Sequence, residues 1–160
     1  MTSIKWKLLG IPLLLILIQF VGPTRSNPPE VAGRAIESRL SLPPEVNRTL
    51  VRACVNCHSH RTVWPWYSRV APASWFVIDH VNFGRRSLNF SDWARYDAEE
   101  QEELLEEMCE LITQGEMPLA PYVWMHDEAR LRPQEIEQVC RWSRLERTRL
   151  GGRNGADVRD

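Results

Sequence analysis

The sequence predicts an all-α domain behind an N-terminal apolar helix. From residue 43 onward, Pro falls at first-turn positions (Pro43 or Pro44, Pro72, Pro133) and Gly at stops (Gly115, Gly151). That asymmetry belongs to helices, whose first turn does not use the donor that Pro lacks and whose last residue is often left-handed. Asp97-Ala98-Glu99-Glu100 has capping-box spacing, and Leu104, Leu105, Met108, Leu111 and Ile112 follow it as a helical apolar stripe. No segment alternates apolar and polar residues as a half-buried strand would, and no internal repeat is found.

Residues 1–22 carry Lys5 and Lys7 ahead of an apolar run from Leu8 to Gly22 that only Gln19 breaks. A positive start before such a run has the character of an export signal or signal anchor. No clear small-residue cleavage site follows Gly22, so a retained anchor is expected over a cleaved signal, with residues 4–22 in the inner membrane as a single pass. Positive charge at the extreme N-terminus keeps that end inside and exports the rest.

Residues 23–42, with Asn27-Pro28-Pro29, suit an extended Pro-rich linker. Residues 43–149 form the expected domain. Its last helix, from Pro133, turns Ile136, Val139, Cys140, Trp142 and Leu145 toward a core. Residues 150–160 read as a disordered tail.

At 160 residues the chain has room for one core. The net charge is −1 and the signs are interspersed, so the basic footprint of nucleic-acid binding is missing. Seven tryptophans is a heavy load for such a chain, and a buried planar cofactor would give the rings a partner.

Cys54-Val55-Asn56-Cys57-His58 carries the chemistry. Two thiols one helical turn apart reach the two vinyl groups of haem, and the adjacent imidazole reaches iron. Covalent haem c, one per chain, is the expected cofactor, with Cys54 and Cys57 as attachment points and His58 as proximal ligand. Export agrees with this, because such attachment takes place outside the cytoplasmic membrane. The rival readings are a dithiol redox motif, which lacks its βαβ context, and a zinc site built from Cys54, Cys57, His58 or His60 with His80 or His126.

Met117, between a helix-ending Gly115-Glu116 and Pro118, is favoured as the sixth ligand. His126 or Met125, His80, and an open position are the alternatives. His60 lies too close to His58 to reach the opposite face. Trp64-Pro65-Trp66-Tyr67 is expected to cover haem or to pack in the core, and Arg85 and Arg86 to pair with propionates or to end a helix in solvent. Cys109 and Cys140 fall on apolar helix faces in a compartment that permits disulfides, and are expected to pair.

Together, Asn27-Pro28-Pro29, Cys54-Val55-Asn56-Cys57-His58-Ser59, Thr62-Val63-Trp64-Pro65-Trp66-Tyr67-Ser68, Ala71-Pro72-Ala73-Ser74-Trp75, Gly84-Arg85-Arg86, Leu88-Asn89-Phe90-Ser91-Asp92-Trp93 and Met117-Pro118 with Tyr122, His126 and Ala129-Arg130-Leu131 resemble the bacterial haem-binding domain family of small, membrane-anchored, exported proteins. The resemblance runs from about Gln19 to Trp142. It implies a compact, cytochrome c-like helical haem domain attached through Cys54, Cys57 and His58. Cys109 and Cys140 are not part of that pattern.

The sequence therefore reads as a single-haem c-type cytochrome-like electron carrier in the periplasm, with an unnamed redox partner. A haem-based sensor or ligand-binding module with a displaceable sixth position is the alternative. No constellation nominates a distal acid or base for a peroxidase-like enzyme.

Overall fold

The computed structural model describes the backbone of residues 2–157 and the side chains of residues 10–152. Its helices are α1 (Thr2–Leu17), α2 (Pro44–Ala53), α3 (Val55–His58), α4 (Ala73–Ser87), α5 (Ala98–Gln114), α6 (Ala120–Met125) and α7 (Pro133–Asp157), with 3-10 turns in the connections α1–α2, α3–α4, α4–α5 and α6–α7. Among the described residues there is no strand.

The long pair α5 and α7 is the spine of the core. Asp97 caps α5, accepting from the Glu100 amide at 2.9 Å while the Glu100 carboxylate accepts from the Asp97 amide at 2.9 Å. Two amides that the helix leaves without partners are thereby satisfied. Leu105, Met108 and Ile112, spaced three and four apart, are buried. Gly115 stops the helix with φ 74°, a conformation that costs glycine nothing, and the Glu116 and Met117 amides then bond to the Leu111 carbonyl. The helix stop therefore fixes where Met117 stands.

Helix α7 runs antiparallel to α5: the Ser143 hydroxyl donates to the Leu105 carbonyl at 2.6 Å, Arg147 pairs with Glu106, and Cys109 and Cys140 are joined by a disulfide of 2.00 Å. Val139, Cys140, Trp142, Ser143, Glu146 and Leu150 make its buried face. Leu145 departs from expectation and is 57% exposed, because the face toward α5 is taken by positions 139, 143, 146 and 150. The tail expectation is also corrected. The helix passes Gly151 and continues to Asp157, since glycine costs a helix only about 1 kcal/mol and the buried Leu150 holds the turn before it. Residues 158–160 lie outside the described residues.

At the N-terminus, α1 has 16 residues, about 24 Å at the helical rise, and Pro12 lies within it. Among the described residues no helix is long and apolar enough to cross a membrane, so the structure does not support the expected spanning anchor. The end of this segment is fastened to the domain. Gln19 accepts from the Ala71 amide at 2.9 Å and donates to its carbonyl at 3.2 Å, and the Trp75 indole donates to the Val21 carbonyl at 2.7 Å.

The linker proves to be a strap laid along the domain. Asn27 donates to the Thr62 carbonyl at 2.9 Å, the Ser91 hydroxyl donates to Glu30 at 2.7 Å, and Arg61 pairs with Glu30 and Glu37. Ile36 and Leu40 are buried in the main core beside Val46, Leu50, Phe90 and Trp93. Prolines gave the extended backbone, and two well-placed apolar side chains gave it a reason to dock.

Candidate functional site

Helix α2 ends at Ala53 and α3 restarts at Val55, with Cys54 between them at φ −122° and ψ −40°. The Cys57 and His58 amides both bond to the Cys54 carbonyl, which closes one turn and places the two thiols and the imidazole on one short coil of backbone. Both thiols are free. Burial pushes the Cys54 thiol up to about 12, with the neighbouring Cys57 adding to the shift and Arg52 opposing it. Burial also raises Cys57, against the opposing charge of Arg85. Both shifts favour the protonated thiol at neutral pH. Among the described residues, no group of three or more His, Cys, Asp or Glu side chains is placed to hold a metal ion.

The imidazole of His58 is oriented by its backbone surroundings. Its Nδ1 donates to the Leu88 carbonyl at 3.1 Å, which leaves Nε2 as the nitrogen with a free lone pair. Burial lowers its pKa, with hydrogen bonding to Leu88 and Gly84 opposing, so the ring is held neutral. Gly84 lets α4 come this close: a Cβ there would meet the Cys57 carbonyl oxygen at 2.9 Å. Only a residue without a side chain allows that approach.

These groups face a cavity of about 340 Å³. Cys54, Cys57 and His58 form one wall; Phe83, Gly84 and Leu88 another; Leu104, Met108 and Ile112 of α5 a third; and Met117, Pro118 and Leu119 close it. The volume lies in the range of small-molecule sites, and the mostly apolar lining includes two imidazoles (His58 and His80), two thiols and two thioethers (Met108 and Met117). That donor set fits haem: thiols for the vinyl groups, nitrogen and sulfur for iron, and a dry surround for the macrocycle.

Of the residues named from sequence, Cys54, Cys57, His58, Met117 and His80 come together at this cavity. His126 and Met125 do not. They line a neighbouring cavity of about 360 Å³, where the His126 Nε2 is engaged by the Tyr67 hydroxyl at 2.7 Å. His60 is bonded to Asn89 and lines neither space. Trp64 and Trp66 also line neither, and Trp66 is 71% exposed, so the tryptophans do not cover the cavity. Trp93 and Trp142 lie in the core instead.

Arg85 is another correction. Rather than reaching outward, it is buried and donates to the Ser59 and Ser26 carbonyls, to Asn27 and to Thr62, which pins the strap and the turn after α3 to α4. A planar fork with five donors suits that task, and four of the five are taken by these partners. Arg86 is exposed and lies over the Phe83 ring. Sequence reasoning missed Leu88, whose part is played by a backbone carbonyl and leaves no trace in residue identity. It also missed the role of Tyr122, which lines both cavities and accepts from Asn56 at 2.8 Å.

The model of the haem-binding domain family matches residues 13–144. No curated protein and no solved structure matches the chain.

Proposed function

The chain belongs to the haem-binding domain family and binds haem, and from that premise we propose that it is an exported single-haem protein of c type that carries electrons. The carrying observation is the convergence of Cys54, Cys57 and a neutral His58 with Nε2 free on one cavity that Met117 also lines. Haem supplies a one-electron couple at iron. Cys54 and Cys57 would hold the haem through thioether bonds to its two vinyl groups. His58 holds the metal with the nitrogen that Leu88 leaves free. Met117, a neutral thioether on the loop that the α5 stop fixes, would be the second protein ligand and would favour the ferrous state. Residues 4–22, a positive start followed by an apolar run, act as the export signal or signal anchor. The domain then works outside the inner membrane with a redox protein partner.

A second ligation has its own support. His80 lines the same cavity, and its Nδ1 lies 2.8 Å from the Phe76 carbonyl, so its Nε2 is also the free nitrogen. The test is an absorption spectrum with a midpoint potential. With Met117 as ligand, the oxidised protein shows the weak sulfur-to-iron band at the red end of the spectrum, and Met117→Ala removes it and lowers the potential. If only His80→Ala alters both, the ligation is His/His. High-spin iron in the unmodified protein, open to carbon monoxide, would replace the electron carrier with a sensor.

A further inference from the structure

The second cavity, of about 360 Å³, is left without a task by the haem reading. It meets the first at Cys57, His80, Leu119 and Tyr122, and it is walled by Val63, Pro65, Phe76, Val77, Pro121 and Met125. Among the polar side chains that interrupt this apolar lining, two pairs are fixed by hydrogen bonds, Tyr67 with His126 and Tyr122 with Asn56. The His126 Nδ1 lies 3.1 Å from the Glu128 carboxylate, which can only accept, so His126 donates there and its Nε2 accepts from the Tyr67 hydroxyl at 2.7 Å. Tyr67 oxygen thus keeps a lone pair for a ligand hydroxyl. The Tyr122 oxygen accepts from Asn56, and its own hydrogen remains for a ligand oxygen. With the free His80 Nε2 as a further acceptor, an apolar space with donor and acceptor groups at its wall suits a ring that carries oxygen.

We propose that this cavity binds a quinone-class ligand, an aromatic ring with hydroxyl or carbonyl oxygens, next to the haem. The proposal rests on the haem reading of the first cavity. The mouth adds to the case, because Val63, Phe76 and Met125 are all about half exposed or more, and Ala71 and Trp75 at the start of α4 hold the end of the apolar N-terminal segment. A ligand drawn from a bilayer would enter on this side; a soluble one would enter from water.

The experiment is anaerobic equilibrium dialysis of reduced haem-loaded full-length protein with a decyl-tailed benzoquinol, whose hydroxyls can donate to Tyr67, and separately with the same quinol without its tail. Binding of the tailed compound is expected, weakened about fivefold to tenfold by Tyr67→Phe through loss of the hydroxyl. Val77→Trp, which fills the cavity from α4, should weaken it about tenfold or more. Both variants should keep the haem spectrum. Tighter binding with the tail assigns the ligand to the membrane, and equal binding assigns it to the aqueous phase; either outcome keeps the site. No binding to the unmodified protein overturns the proposal, as does binding that neither variant weakens. Loss of haem from Val77→Trp also overturns it, by showing that haem itself fills this space. A protein without haem would instead fail the reading of the first cavity, and a haem stain reports that separately.

Discussion

The Nδ1 of His58 stands 3.1 Å from the carbonyl oxygen of Leu88, thirty residues along the chain. This bond decides which imidazole nitrogen faces the cavity, and it depends on α4 ending at Ser87 and on α4 lying close against α3. Gly84 permits that closeness. Gly84→Ala is therefore expected to push the helices apart and destabilise the protein by about 1–3 kcal/mol, as overpacking does. The yield of haem-loaded protein should fall with it. Thermal unfolding beside the absorbance of purified protein checks this; unchanged values for both would contradict the close fit at Cys57.

Arg85 ties three segments together through one guanidinium. Arg85→Lys keeps the charge and loses the fork, leaving several buried carbonyls and hydroxyls without a donor. A loss of about 2–4 kcal/mol is expected. The strap around residues 23–30 should become accessible to limited proteolysis, with cleavage sites read by mass spectrometry.

The disulfide between Cys109 and Cys140 closes a loop across a sequence separation of 31. On chain-entropy grounds it contributes about 2–4 kcal/mol. Replacing both cysteines by Ala should lower the denaturant midpoint accordingly and leave the haem spectrum unchanged, since neither sulfur lines the cavity. In the unmodified protein, denatured without reductant, these two thiols should resist alkylation.

Glu135 ties the start of α7 to Arg132 and to Arg52 of α2. The Arg132 hydrogen bond and the Arg52 guanidinium, against the effect of burial, hold its carboxyl down at about 2, below the ordinary 4.5. A carboxyl depressed on folding stabilises the protein above its unfolded pKa and loses that contribution as pH falls through the folded value. Arg132 is largely exposed, so the contribution is set at about 1–2 kcal/mol. Glu135→Gln should therefore be less stable than the parent at pH 7, and the gap should close between about pH 4.5 and pH 2. Denaturant titrations across that range measure it.

What the sequence made legible was local. The capping box at Asp97, the stop at Gly115 and the one-turn spacing of Cys54 and Cys57 are each set within a few residues, so pattern alone finds them. Helix faces were legible in period, though Leu145 was misplaced because one apolar residue beside the buried face looks like one on it. The strap, the burial of Arg85, the Leu88 carbonyl and the second cavity all arise where distant segments meet. A proline-rich stretch reads as a spacer until Ile36 and Leu40 find the core, and an arginine at a helix end reads as solvated until Ser26, Ser59 and Thr62 surround it.

The central claim is that haem is joined to Cys54 and Cys57. The most direct measurement is the intact mass of the protein, denatured after production with a c-type maturation system and compared with Cys54→Ala and Cys57→Ala together. The expected result is a polypeptide heavier by one haem whose peroxidase stain survives denaturing electrophoresis, with both signals lost in the double variant. A bare polypeptide mass with haem released into acidified solvent, or a stain that the double variant retains, would contradict it.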